Sequence, residues 1–312
     1  MTLKEVAKAA NVSVSTASKA LKNSFDVSEE TRARVRKEAE RLDYFAEKKK
    51  VAFENRSAKH VRIAIVCPEV ISPHYSRLVE RLNEAALKHG GSTVIYNIGF
   101  DPEVLRRTVD ECAERTDLDA VIVLSRLSGD RVPGSIPLVC LSNKPSNHYS
   151  VLRITYEAFD ELKEKYRNRR IAFVGEPLTV AKAVHFKAGF PNGKTYCPNL
   201  RYEEAGVSAV RDMLREGDLP EVILCGYDEI AYGVVNALAE AGISVPGRVE
   251  VIGYNDIRSS RWVCGGLTAI QFDFGNTFEQ MVEDLIVDAT TKHITPREYC
   301  VPSRVVWRNT TK

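Results

Sequence analysis

The stretch Thr2-Leu3-Lys4-Glu5-Val6-Ala7-Lys8-Ala9-Ala10-Asn11-Val12-Ser13-Val14-Ser15-Thr16-Ala17-Ser18-Lys19-Ala20-Leu21 decides how the N-terminal end folds. Thr2 and Glu5 stand three apart and can satisfy each other's backbone amides, which makes a capping box and opens a helix. Leu3, Val6, Ala7 and Ala10 recur at helical spacing, so one face of that helix is apolar and small. Asn11 ends it, because asparagine tolerates the left-handed backbone of a tight turn, and Val12 can tuck beneath. Ser13 caps a second helix, Val14 to about Lys22, whose Ala17 and Leu21 lie four apart and can pack on the first. Two short helices joined by so tight a turn form a helix-turn-helix, a unit that lays its second helix in the DNA major groove. Periodicity alone leaves open a small helical pair capping some larger fold.

The outward residues separate these readings. Ser15 and Lys19 lie four apart on the face opposite Ala17 and Leu21, with Val14 and Thr16 beside Ser15 in the first turn. Serine bonds either kind of base edge, valine touches a thymine methyl, and lysine reaches guanine acceptors or a phosphate. Downstream, Ser28 caps a third helix from Glu29 to Leu42, with Val35, Ala39 and Leu42 on its inner face. Its outer residues Arg32, Arg34, Arg36 and Lys37 suit phosphate contact and a solvated face equally.

The run T-L-K-E-V-A-K-A-A-N-V-S-V-S-T-A-S-K-A-L, followed by V-S-E-E-T-R-A-R-V, resembles the N-terminus of the LacI/GalR family of bacterial transcription regulators. The likeness continues over nearly the whole chain. It implies that Val14, Ser15 and Lys19 read bases. Asn11 stands where the family usually has glycine and Lys19 where it has arginine; lysine lacks the planar two-pronged contact, which loosens specificity at that base. The candidate DNA-contacting set is Thr2, Ser13, Val14, Ser15, Thr16, Ser18, Lys19, Lys22, Ser28, Thr31, Tyr44, Lys50 and Phe53.

Charge is distributed accordingly. The chain has 312 residues and a net charge of only +2, but residues 1–60 hold 14 Lys and Arg against 9 Asp and Glu. The remainder holds 30 against 33, so the basic end is the DNA end. The length suggests two or three domains. Seven cysteines without a C-x-x-C pair read as reduced core residues of a cytoplasmic protein. No run approaches the ~18 apolar residues of a membrane span, and no signal-peptide pattern argues for export.

Residues 46–60 read as a hinge linker between a headpiece, 1–45, and a sensor, 61–312. A helix of so few turns is marginal alone and should order only on DNA. In the family this hinge enters the minor groove, where a leucine from each subunit wedges into a base step. Phe53 occupies that leucine's place and Lys50 that of a small alanine, so a wedge is expected; a flexible charged tether is the alternative.

From Val61 strands and helices alternate, and the pattern restarts at Arg170. The expected fold class is α/β: a three-helix helix-turn-helix headpiece plus two doubly wound parallel-sheet lobes. This resembles a periplasmic sugar-binding protein of type I. The first lobe should span about 61–152 and 272–292, the second about 153–271 and 293–312, with crossings near Leu152–Thr155, Ile270–Phe272 and the C-terminus. In open parallel sheets ligands sit beyond the carboxyl ends of strands. The candidate effector set is therefore Ser72, His74, Tyr75, Ser125, Arg126 and Asn143 in the first lobe, and Glu176, Phe186, Tyr227, Asn255, Asp256 and Gln271 in the second.

Against the family pattern, an arginine of R-x-x-G-F is Phe186, an asparagine before aspartate is Tyr227, and the aspartate of I-G-Y-D is Asn255. All three polar anchors for a sugar ring are changed, and charge-assisted bonds are lost with them. Aromatics in their places favour stacking or a filled cleft. The loops around Ser128–Ser135 and Pro191–Thr195 are short against the family. A flatter, less hydroxylated effector is expected, with no effector or control by a protein partner as the alternative and an ordinary sugar as a third reading.

Catalysis is not expected. The chain lacks G-x-G-x-x-G after its first strand, a Walker sequence, G-x-S-x-G and H-E-x-x-H, and its six histidines are scattered. No metal or cofactor is implied. The expected partners are an operator duplex and a second copy of the chain, and the expected action is repression. The contrasting class is a sugar-binding or enzymatic α/β protein whose N-terminal helices are incidental.

Overall fold

The structure, a computed structural model, describes residues 2–21, 27–42, 44, 60–127 and 136–312. Three helices open the chain: α1 (Leu3–Ala9), α2 (Val14–Leu21) and α3 (Glu29–Arg41). The Thr2–Glu5 capping box forms in both directions. Its amide bonds hold the Glu5 carboxyl below its usual range. Asn11 adopts φ 51°, the left-handed conformation the turn requires, and the Val12 amide closes the turn on the Ala7 carbonyl at 3.0 Å. Ser13 Oγ accepts the Thr16 amide at 3.0 Å and so starts α2. Val6, Ala7, Ala10, Ala17, Ala20, Leu21, Val27, Val35 and Ala39 form one small core, joined by Tyr44. Alanines at the crossing let these short helices approach closely, which is why so few residues suffice.

The chain divides into two units, residues 1–154 with 274–300 and residues 155–273 with 301–312. The linker and its Lys50 and Phe53 lie outside the described residues, as do Lys22 and the Ser128–Ser135 loop.

The first unit carries a six-stranded sheet. Its elements are β1 (Arg62–Cys67), α4 (Pro73–Lys88), β2 (Ser92–Asn97), α5 (Pro102–Glu114), β3 (Ala120–Val123), β4 (Leu138–Leu141), β5 (Ser150–Ile154), α10 (Thr277–Thr291) and β11 (Glu298–Val301). Strand order is β11-β5-β4-β3-β1-β2, with β1 to β5 paired in parallel. Strands β1 and β3 are buried on both faces, and so read as unbroken apolar runs rather than alternating ones.

The second unit repeats the plan with α6 (Glu157–Tyr166), β6 (Ile171–Val174), α7 (Val180–Gly189), β7 (Lys194–Tyr196), α8 (Tyr202–Glu216), β8 (Val222–Cys225), α9 (Asp228–Glu240), β9 (Glu250–Tyr254), β10 (Thr268–Phe272) and β12 (Ser303–Val306). Its order is β12-β10-β9-β8-β6-β7, parallel throughout except for β10 with β12. Helices α8 and α9 cross in near backbone contact: a Cβ on Gly233 would sit 2.0 Å from the Glu203 carbonyl oxygen.

The chain changes unit just after β5 and just after β10, at residues 154/155 and 273/274, as expected, and Glu157–Tyr166 is a helix the periodicity did not single out. Two expectations are corrected. Residues 293–300 belong to the first unit rather than the second. Arg297 is the reason: it forks onto Asp288 at 2.9 and 3.0 Å, while the Tyr299 hydroxyl donates to Asp284, tying β11 to α10. Not every cysteine is a core residue, since Cys197 and Cys300 are exposed.

Candidate DNA-reading face and strand-end ligand face

On α2 the buried and exposed residues separate cleanly. Ala17, Ala20 and Leu21 are at most 3% exposed, whereas Val14 is 42% exposed, with Ser15 and Lys19 exposed beside it. The helix therefore offers one turn of hydroxyl, methyl and ammonium groups on a rigid, internally packed support, the arrangement base reading needs. Thr16 and Ser18 are half-buried at the edges of this face. Thr2, Ser13 and Ser28 serve as N-caps, with Thr31 receiving the Ser28 cap. Tyr44 departs from expectation: its ring is only 4% exposed in the headpiece core, and burial pushes its hydroxyl pKa up. Of the α3 cations, Arg32 pairs with Glu29 and Arg41 with Glu38, whereas Arg34 and Lys37 are exposed.

In the first unit the candidate residues sit at strand ends. Ser72 is buried as the N-cap of α4, accepting the Tyr75 amide at 3.4 Å. His74 meets Tyr75 edge-on at 5.1 Å, and Tyr75 meets Phe100 at 6.0 Å. Burial raises the Tyr75 hydroxyl pKa. Ser125 is half-buried, and Arg126 and Asn143 are exposed.

The second unit has already committed most of its polar candidates. Glu176, fully buried, pairs with Arg201 at 3.2 Å and accepts the Tyr202 amide at 3.2 Å. Asp256 pairs with Arg308 at 2.6 Å and accepts from the Gln271 amide at 2.7 Å, while Gln271 in turn accepts from Arg304 at 2.8 Å. Asn255 and Asp256 both carry positive φ, 103° and 48°, so the turn after β9 is strained. It is held by the Asn255 amide on the Ile270 carbonyl and by the Ile257 amide on Asp228 Oδ2. Tyr227 is half-buried, and burial with nearby Glu176 raises its hydroxyl pKa.

Phe186 is a correction. It is 0% exposed and packs at 5.6 Å from Phe173 and 5.3 Å from Phe190, so it fills the core instead of lining a ligand site. A chain of aromatic rings left Phe186 nowhere to go but inward.

Sequence reasoning missed the residues that do reach this face. The Lys182 ammonium donates to the Gly226 carbonyl at 2.6 Å and lies 3.9 Å from the Tyr254 ring centroid and 5.6 Å from that of Tyr227. Burial lowers its pKa to about 8. Tyr254 packs on Phe272 at 5.3 Å, and Tyr156 stacks on His185 at 4.4 Å. Lys182 and His185 stand three apart on α7, a spacing that could have flagged them.

Among the described residues no group of carboxylates, histidines and cysteines could hold a metal ion, and no helix is long and apolar enough to cross a membrane.

Comparison with known proteins follows these two halves of the molecule. Residues 2–47 match the bacterial regulatory proteins of the lacI family, and residues 159–311 match the periplasmic binding protein-like domain. Catabolite control protein A of Staphylococcus aureus (strain Mu50 / ATCC 700699) is 26% identical over 336 residues, spanning 100% of this chain and 99% of the relative. The HTH-type transcriptional repressor PurR of Glaesserella parasuis serovar 5 (strain SH0165) is 25% identical, covering 94% and 91%. Among solved structures, a Lac repressor dimer bound to operator and the anti-inducer ONPF superposes with a TM-score of 0.67 at 22% identity, covering 100% and 99%. These relatives are regulators rather than enzymes. The exposed α2 face, the two parallel-sheet lobes and the matches at both ends together place the chain in the LacI family, as a DNA-binding transcription regulator.

Proposed function

We propose that the chain acts as a homodimeric, sequence-specific repressor whose second helix reads operator bases and whose lobes answer a small effector other than a hydroxyl-rich sugar. One observation carries the DNA half: Val14, Ser15 and Lys19 share the exposed face of α2 while Ala17, Ala20 and Leu21 bury the other. Two such headpieces would read half-sites about one helical turn apart. The domain division, headpiece 1–45, hinge 46–60 and sensor 61–312, belongs to this proposal, as does the reading of Phe53 as a wedge with Lys50 on phosphate. Ser72, His74, Tyr75, Ser125, Arg126 and Asn143 remain the candidate contacts offered by the first lobe.

The effector half draws on the commitments of Glu176, Asp256 and Gln271 to arginines of their own lobe. A sugar hydroxyl needs an uncommitted acceptor or donor, and breaking an ion pair at 2.6 Å to supply one is costly. The same commitments favour a second reading, regulation by a protein partner with no small effector. Thermal shift against sugars, phosphosugars, nucleosides and aromatic acids separates the two, since a true effector stabilises the folded chain.

The test of the DNA half is fluorescence anisotropy of the full chain on duplex DNA as salt is raised. Phosphate contacts predict a steep, linear fall of log affinity with log salt concentration. Binding that is absent at low salt, or insensitive to it, removes the proposal.

A further inference from the structure

Within the effector reading, which this inference rests on, the surroundings of Lys182 specify a ligand chemistry. We infer that the strand-end face of the second lobe takes a flat aromatic molecule bearing a negative charge, stacked against Tyr254 and Phe272 with its anion on the Lys182 ammonium.

An ammonium carries three N–H donors. One of Lys182's goes to the Gly226 carbonyl, and the charge rests on the face of Tyr254 at 3.9 Å. Among the described residues it makes no carboxylate ion pair, although the charges of Asp228, Glu229 and Glu176 act on it; of these, Glu176 is engaged by Arg201 and Asp228 by the Ile257 amide. With a pKa lowered to about 8 by burial, the group is still protonated at neutral pH. A desolvated cation with one hydrogen bond has donors to spare for an anion, and a charge-assisted bond there is stronger than one in water.

The rings supply the second requirement. Tyr254 and Phe272 close strands β9 and β10 and are both partly exposed at the rim of one core cluster, which Tyr156 also joins. This is where open parallel sheets receive ligands. The face thus offers aromatic area with the Lys182 ammonium beside it. His185 Nε2, in the same rim through its stack on Tyr156, is buried without a hydrogen-bond partner, and burial lowers the imidazole pKa, which favours the uncharged ring. A hydroxylated ring would find Glu176, Asp256 and Gln271 already engaged by arginines; a planar anion needs only the ring faces and the ammonium.

The experiment uses the full chain without DNA and observes binding by saturation-transfer NMR and calorimetry. The probes are benzoate and indole-3-acetate, with cyclohexanecarboxylate as the anion without an aromatic face and benzyl alcohol as the ring without charge. Both aromatic anions should bind below about 10 mM, and each control should bind at least ~10-fold more weakly. Lys182→Met should weaken the aromatic anions by at least ~10-fold, Lys182→Arg should retain them within about 3-fold, and Tyr254→Leu should weaken them at least about 5-fold. Comparable melting temperatures show that the variants fold. No binding of either aromatic anion, equal binding of cyclohexanecarboxylate, or indifference to Lys182→Met overturns the inference. Because DNA is absent from the assay, a chain that still binds operator leaves the regulator reading standing when this inference falls.

Discussion

Replacing Asp228 by asparagine should make the protein more stable, and increasingly so as pH rises from 5 to 7. Asp228 opens α9 with its carboxyl fully enclosed: Oδ2 accepts the Ile257 amide at 2.7 Å, while Oδ1 is buried without a partner against Gly253. Burial pushes its pKa up to about 7, with Glu229 and Asp256 pushing the same way and the Ile257 and Ser260 bonds opposing. For an acid whose folded pKa lies above the unfolded one, the native state binds the extra proton. Its stabilising effect is complete below the unfolded pKa near 3.8 and is lost as pH climbs through about 7. Each pH unit in that window removes about 1.4 kcal/mol, so the whole effect has a ceiling of about 4 kcal/mol, and pH 5 to 7 covers about 2 to 3 of it. Asparagine keeps the shape and an oxygen for Ile257 but carries no charge to desolvate. Urea unfolding of the full chain and of Asp228→Asn between pH 5 and 8.5 gives the difference directly. It should grow with pH and level off above about 8. A difference that is flat across the range, or that grows toward acid, would refute the assignment of a raised pKa to Asp228.

Other consequences are as specific. Lys19→Ala should relax base preference by about 1–3 kcal/mol at one operator position, read by binding to a set of single-position operator variants; an unchanged preference at every position removes Lys19 from the reading set. Asn11→Val places a β-branched residue at φ 51° and should destabilise the α1–α2 turn by about 1–2 kcal/mol, visible as faster amide exchange in α1 and α2. Unaltered exchange would mean the turn tolerates the change. Gly233→Ala drives a Cβ to 2.0 Å from the Glu203 carbonyl, so despite alanine's better helix propensity it should cost about 1–3 kcal/mol and lower Tm by several degrees. A raised Tm would contradict the close crossing of α8 and α9.

What the sequence disclosed depended on how local the cause was. The Thr2–Glu5 box, the left-handed Asn11 and the Ser13 cap each act over three or four residues, and all three could be read directly. The doubly wound lobes were legible because buried parallel strands such as Ala120–Val123 have no polar face to confuse the pattern. Strands β11 and β12 at the two sheet edges carry no such signal, whereas the crossings between lobes were legible beside β5 and β10, where the chain changes unit. The ligand face was the least legible. Whether Asp256 can greet a ligand is decided by Arg308, some fifty residues away in sequence, and whether Phe186 lines a site is decided by the rings of Phe173 and Phe190. No spacing rule connects those positions. Tyr44 illustrates the same limit on a smaller scale, since its place in the headpiece core follows from how α3 returns on α1 and α2.

The central claim is that Val14, Ser15 and Lys19 face a nucleotide groove, and selection from a random duplex library by the full chain, followed by sequencing, tests it most directly. The account predicts an enriched inverted repeat with half-sites about one helical turn apart, whose outer positions lose information when Ser15 and Lys19 are replaced by alanine. A library that emerges unenriched at moderate ionic strength, or a motif unchanged by both substitutions, would contradict it.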